Sequence, residues 1–194
     1  MTVTKNVLAI SGSTRQDSSN LRLIQAVAAS STEFFQVTLF ERLADIPHFN
    51  PDLDTDSPPS QVTYFRQQLR AADGILICTP EYAMGVPGTL KNAVDWTIST
   101  MEFSRKPVAL ITASLSGKKA HLSLQETLLI IEARITEHTQ LLIPFIKAKV
   151  SQTGEITDPT TAAAIQALIS SFNQLMDGDL QALLAEPVLL NENA

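Results

Sequence analysis

The sequence predicts an α/β fold, a parallel sheet of five strands with helices packed on both faces. Three observations predict it. Short runs that are apolar throughout, such as Val7-Leu8-Ala9-Ile10 and Ile75-Leu76-Ile77-Cys78, read as strands buried on both sides. Between them lie longer stretches with apolar residues at helical spacing. Loops rich in proline, glycine and serine separate the two kinds of segment. Strands that alternate with helices form βαβ units, and βαβ units build parallel sheets. The 194 residues suffice for one domain with a full core, and residues 1–194 are read as a single domain.

Residues Asn6 to Ser11 form the first expected strand. A helix is expected from Ser19 to Ser31, with Leu21, Ile24, Val27 and Ala28 on its buried face and Ser18 or Ser19 as cap. Phe34 to Phe40 reads as the second strand. A long loop from Glu41 to Ser60 carries Pro47, Pro51, Pro58 and Pro59, and loops of that length are usually functional or disordered. Gln61 to Ala72 follows as an amphipathic helix, ended by Asp73-Gly74. The third strand is Ile75 to Thr79, and a further helix runs from Thr89 through Trp96 to Ser99. Val108 to Thr112 is the fourth strand. A helix from Ala120 to His138 has Leu124, Leu128, Ile131 and Ile135 as its stripe. Leu141 to Ile143 and Phe145 to Val150 form a fifth strand region, bent or divided at Pro144. The last helix opens at Asp158-Pro159, with Asp as cap and Pro in the first turn, and Gly178 interrupts it. The stretch from Pro187 reads as loosely ordered.

Composition narrows the function. A net charge of −6 argues against nucleic-acid or anionic-membrane binding, and no apolar run is long enough to span a bilayer. One cysteine, Cys78, permits no internal disulfide, and the N-terminus lacks the pattern of a signal peptide. A cytoplasmic location is expected. His48, His121 and His138 lack metal-ligand spacing, so no metal is expected.

The chemistry gathers in loops after the first, third and fourth strands, which reach one sheet edge. The first loop, Ser11 to Asn20, leads from a strand into a helix start, where free N–H groups and the helix dipole favour an anion. It has one glycine, Gly12, and no lysine, so it is neither an NTPase phosphate loop nor a dinucleotide fingerprint. Its hydroxyls and Arg15 suit a terminal monophosphate; alternatively, it is a polar surface loop with a helix cap. Glu41 stands just after the second strand, where a dinucleotide enzyme places its ribose acid. Without the glycine pattern it reads as a solvated surface residue.

Two motifs carry a resemblance. Gly12-Ser13-x-Arg15-x-x-Ser18-x-Asn20, together with Thr79-Pro80-Glu81-Tyr82 and Pro87-Gly88-x-Leu90-Lys91-Asn92-Ala93-x-Asp95-Trp96, resembles the NADPH-dependent FMN reductase family of flavodoxin-like proteins. The resemblance implies a flavodoxin-like three-layer sandwich with a five-stranded parallel sheet in order 2-1-3-4-5. It implies FMN as cofactor, NADPH or NADH as electron donor, and a small-molecule acceptor such as a flavin or quinone. Ser13, Arg15, Ser18 and Asn20 would bind the FMN phosphate, with Ser19 giving its backbone N–H. Pro80, Glu81 and Tyr82 would lie along the flavin ring, and Ser114 would approach its other edge. Hydride passes through the flavin, so no catalytic side chain is required. The helix from Lys91 to Trp96 would pack in a homodimer or dimer of dimers. Two features depart from the family pattern: Ala83 stands where asparagine is usual, and the usually glycine-rich fourth loop is here Ala113-Ser114-Leu115-Ser116-Gly117-Lys118-Lys119. An electron carrier, or a flavin-free binding module on the same fold, would be the alternatives.

Overall fold

The apolar runs become strands of one sheet because both of its faces are covered. The computed structural model describes residues 4–178 and 183–188. The strands are β1 (Lys5–Ser11), β2 (Phe35–Leu39), β3 (Gly74–Thr79), β4 (Val108–Ala113) and β5 (Gln140–Ile143). All neighbours pair in parallel, in the order β2-β1-β3-β4-β5. The helices are α1 (Ser19–Ser30), α2 (Ser60–Ala71), α3 (Gly88–Asp95), α4 (Lys118–Ile130) and α5 (Pro159–Asp177).

Successive strand residues point to opposite faces, and the core divides accordingly. Leu8, Ile10, Ile75, Ile77, Val108 and Leu110 pack with Phe65 and Leu69 of α2, Leu90 of α3 and Leu124 of α4. Val7, Ala9, Leu76, Cys78, Ala109 and Ile111 pack with Leu23 and Val27 of α1 and with Leu168 and Phe172 of α5. The result is three layers, with the flavodoxin-like strand order. From β1 the chain moves outward through α1 to β2, then crosses back through α2 to β3 on the other side of β1. A crevice therefore opens at the carboxyl edge between β1 and β3.

Several boundaries differ from the sequence reading. Gly74 opens β3 instead of closing α2. It pairs with Val7, and a Cβ there would lie 2.7 Å from the Phe172 ring, so only glycine lets α5 cover the strand. Helix α4 stops at Ile130. Glu132 takes φ 61, and the N–H groups of Glu132 and Ala133 return to the carbonyls of Leu129 and Leu128. That is a Schellman ending with glutamate in the usual glycine place. Ile131 and Ile135 still reach the core, but from the turn beyond the helix. Phe145 to Val150 is not a strand. Pro144 ends β5, Phe145 adopts φ 55, and Ile146–Ala148 is a 3₁₀ turn. Gly178, at φ 82, caps α5 at its end instead of interrupting it. Within the long loop, Leu43–Asp45 and Pro51–Leu53 form short 3₁₀ turns. Pro187 and Val188 are described, whereas 189–194 lie outside the described residues.

Val188 is anchored by a buried polar chain whose direction can be traced. Its N–H donates to Gln125 Oε1 at 2.8 Å, so Gln125 Nε2 donates to the Val188 carbonyl at 3.2 Å and to Gln140 Oε1. His121 Nε2 lies 3.0 Å from that same oxygen and must carry the proton. Nδ1 then accepts from the Thr112 hydroxyl at 2.8 Å. Gln140 Nε2 is the buried side-chain nitrogen left without a partner among the described residues.

Burial pushes the His121 pKa down to about 4 from 6.5, partly opposed by the Gln140 hydrogen bond. Between those values the unfolded chain binds a proton that the folded one refuses. Stability is therefore full above pH 6.5, falls as pH drops towards 4, and is then flat with respect to this group. The expected loss is on the order of 3 kcal/mol. Urea unfolding at stepped pH checks it, and His121→Gln should flatten the slope in that window.

Candidate functional site

The first loop leaves β1 at Ser11 and is pinned at once. The Gly12 N–H donates to the Cys78 carbonyl at 2.8 Å, drawing the loop onto the end of β3. Ser11 Oγ donates to the Ser13 carbonyl at 3.0 Å and tightens the turn. Ser18 then caps α1, its Oγ accepting from the Leu21 N–H at 3.1 Å. The N–H groups of Ser19 and Asn20 have no acceptor within the helix and face the loop, at the positive end of the helix dipole.

Charge at this end suits an anion. Arg15 is exposed and has no ion pair among the described residues. Asp17, the one acid in the loop, is paired with Arg22. The donors present are therefore a serine hydroxyl, a guanidinium and helix-start amides, the set that binds a phosphate monoester.

The Asn20 side chain is buried and engaged within the protein. Nδ2 donates to the Ala113 carbonyl at 3.2 Å, and Oδ1 accepts from the Cys78 thiol at 3.3 Å. It ties α1 to the ends of β3 and β4, leaving its backbone N–H for a ligand. Cys78 is more than filler, since it supplies the thiol donor. Burial pushes its pKa far up, so it stays a thiol.

The second loop joins the first through Tyr82, whose hydroxyl lies 3.3 Å from Ser13 Oγ. Pro80 is buried at its base, and Tyr82 is half exposed. Tyr82 and Gly85 exchange both backbone hydrogen bonds at 3.0 Å, with Ala83 at φ 48 and Met84 at φ 62 between them. Two positive φ values in a two-residue turn define type I′, which favours Asn-Gly. Here alanine and methionine hold it instead, and Met84 is 70% exposed.

Glu81 reaches the start of α4. Its carboxylate accepts from the N–H groups of Gly117 at 3.3 Å, Lys119 at 2.8 Å and Ala120 at 3.0 Å. It caps α4 from a distance and binds the second loop to the third. Ser114 is half-buried; its N–H donates to the Ile143 carbonyl at 3.2 Å, and its own carbonyl accepts from Ile146 at 3.2 Å. Leu115 stands 74% exposed beside it, and its carbonyl receives the Phe145 N–H at 3.3 Å.

The structure thus brings Ser13, Arg15, Ser18, Ser19, Asn20, Pro80, Glu81, Tyr82 and Ser114 to one sheet edge. Thr79 fills the space beside Gly12, a packing role its motif did not reveal, and Glu41 is exposed, as its lack of a glycine pattern led one to expect. A cavity of about 450 Å³ lies between the first loop and the segment after β2, with Ser13, Arg15 and Glu41 among its walls. Among the described residues, no helix is long and apolar enough to cross a membrane.

Comparison with known proteins agrees with this fold. Residues 5–148 match the family described as NADPH-dependent FMN reductase. An NAD(P)H-dependent FMN reductase of Pseudomonas aeruginosa is 32% identical over 165 residues, covering 82% of this chain and 89% of its own. A quinone reductase of Escherichia coli K12 is 29% identical over 177 residues, covering 88% and 94%. Among solved structures, the NAD(P)H:(acceptor) oxidoreductase flavoenzyme FerB of Paracoccus denitrificans superposes with a TM-score of 0.74 at 25% identity, covering 91% of this chain and 99% of its own.

Proposed function

Because the chain belongs to the NADPH-dependent FMN reductase family, we propose that its FMN phosphate sits at the start of α1 and its flavin ring along the Pro80–Tyr82 loop. The chain is an NAD(P)H-dependent oxidoreductase with FMN as cofactor, passing electrons to small acceptors. The observation that carries the placement is the Ser13–Tyr82 contact, which joins a phosphate-binding loop to the loop that would flank a flat ring.

FMN bound there would supply the hydride chemistry between NAD(P)H and the acceptor. The protein's part is to hold and orient the FMN. Ser13 Oγ, the Arg15 guanidinium and the Ser19 and Asn20 N–H groups bind the phosphate. Ser18 and the Asn20 side chain act one step back, the first by fixing the helix start and the second by fixing it to the sheet. Glu81 keeps the second and third loops in register, so that Tyr82 and Ser114 stand on opposite edges of one cleft. The exposed side chains of Tyr82, Met84 and Leu115 give that cleft an apolar rim suited to a flat acceptor such as a quinone, the acceptor class named for the Escherichia coli relative. Self-association would use the end of α3. Trp96 is wholly buried there, so contact would fall to Ile98 and Met101, each about half exposed. A cytoplasmic setting fits a lone, buried cysteine.

Arg15→Ala tests the placement. FMN affinity, read from flavin fluorescence, should fall at least tenfold, while apo stability stays within about 0.5 kcal/mol. Ser18→Ala should instead cost about 1 kcal/mol of apo stability through the lost cap. Unchanged FMN affinity in Arg15→Ala would remove the phosphate from this loop.

A further inference from the structure

Two large apolar side chains at the third loop lie open to solvent. Leu115 follows Ser114 after β4, and Phe145 follows Pro144 after β5. Beyond the sheet the two segments are zipped together. The Phe145 N–H donates to the Leu115 carbonyl at 3.3 Å, and the Ile146 N–H donates to the Ser114 carbonyl at 3.2 Å. Phe145 is 61% exposed, although it stands at φ 55, in the left-handed region that favours glycine. A bulky residue held there is strained, and an exposed ring offsets little of that cost through burial. Neither the core nor the turn accounts for a phenylalanine at this place.

We propose that Phe145, with Leu115, forms a subsite for the apolar side chain of the acceptor, so that the enzyme favours quinones carrying an aliphatic tail over bare quinone rings. The inference rests on the placement of the flavin ring between Tyr82 and Ser114. A tail that leaves a stacked quinone past the Ser114 edge meets Leu115 first and Phe145 next, because the backbone hydrogen bonds set them in that order. An aliphatic chain gains by leaving water in proportion to the area it covers, and two large exposed side chains supply that area. The ribityl phosphate of a free flavin acceptor would gain nothing from the same surface. Lys118, Lys119 and Lys147 stand close to the pair in the chain and are exposed. A second copy seated on the pair about a twofold axis would set these lysines against their own counterparts, like charge on like. The charges therefore disfavour self-association at this place, and Ile98 and Met101 offer an apolar contact elsewhere.

The test compares a dimethoxy-methyl-benzoquinone with its decyl-substituted form, two quinones that share one ring, on the FMN-loaded protein with NADH or NADPH as donor. The decyl form should show a kcat/KM about tenfold higher, carried by KM. Phe145→Gly removes the side chain and suits the left-handed backbone, so it should fold as the parent does. In that variant the decyl preference should fall about fivefold or more, and Phe145→Leu should keep most of it. Binding of the decyl quinone to the oxidised holoenzyme without donor, read from quenching of flavin fluorescence, should weaken by the same factor. A parent with equal kcat/KM for the two quinones overturns the proposal. So does a Phe145→Gly protein that keeps the preference, or one that loses both quinones equally, since the side chain would then serve the ring or the fold. A Phe145→Gly protein with a changed oligomeric state in gel filtration and an unchanged preference overturns it in favour of a surface between copies. A parent that neither binds FMN nor reduces the bare quinone overturns the flavin placement, and this subsite with it.

Discussion

An Arg66→Ala protein is expected to unfold about 3 kcal/mol more easily than its parent, at the lower end for breaking a buried ion pair. Arg66 lies on α2 and is 4% exposed. Its Nη2 donates to Asp54 Oδ1 at 2.7 Å, and its Nε donates to the Trp96 carbonyl at 2.9 Å. Ser99 Oγ donates to the other Asp54 oxygen at 2.6 Å. Burial alone would push the Asp54 pKa up. The hydrogen bonds from Ser99 and Arg66, together with the guanidinium charge, outweigh it and hold the pKa below the ordinary value. Alanine at 66 would leave a carboxylate and a carbonyl without their donor. The loop that carries Asp54 can turn partly to water, which is why the low end of the range applies. The pair also closes a clamp. Asn92 Nδ2 and Trp96 Nε1 both donate to the Pro47 carbonyl, at 3.0 and 2.8 Å, so α3 grips the same loop at a second point. Urea titration with an unchanged m-value checks the loss. Replacing both partners, as Asp54→Asn with Arg66→Met, should recover part of it, because only a half-broken pair leaves a charge uncompensated.

Gly12→Ala is expected to abolish flavin retention in a protein that still folds. A Cβ at position 12 would lie 2.2 Å from Thr79 Oγ1, 2.7 Å from Thr79 Cβ and 3.1 Å from Leu90 Cδ2. Thr79 is fully buried at the end of β3 and cannot swing clear, so the loop must lift from the strand. Overpacking of this kind costs about 1–3 kcal/mol, which a whole sheet survives. The site does not survive it, because the Gly12–Cys78 hydrogen bond sets the height of Ser13 and of the α1 start. Flavin stoichiometry after purification, with circular dichroism and thermal unfolding alongside, separates the two effects. A folded variant with full flavin would show that the loop's height is set elsewhere.

What the sequence made legible was what local chemistry dictates. The β1, β3 and β4 runs, the Ser18 and Asp158 caps and the placement of three loops at one edge all follow from residue type and spacing. The strand order came through the motif resemblance. Glu81 shows where such reading stops. Its three partners are Gly117, Lys119 and Ala120, far along the chain, and nothing near Glu81 distinguishes a distant helix cap from a ring contact. Asn20 is similar, since its partners Ala113 and Cys78 become neighbours only when β3 and β4 pair. The apolar stripe of α4 misled for another reason. Ile131 and Ile135 keep helical spacing and reach the core, but a left-handed Glu132 ends the helix between them. Hydrophobic period reports burial, and here burial continued after the helix had stopped.

Cys78 bears on chemical endurance. Quinones are electrophiles that alkylate thiolates, and an enzyme that turns them over meets them at every cycle. This chain has a single cysteine, sealed in β3 with its proton held on and its hydrogen donated to Asn20. The one thiol in the protein is thus stored within a few residues of the cleft as the protonated, buried form, which is a poor nucleophile. The same burial that seats this thiol under the phosphate loop also shields the enzyme from being inactivated by such an acceptor.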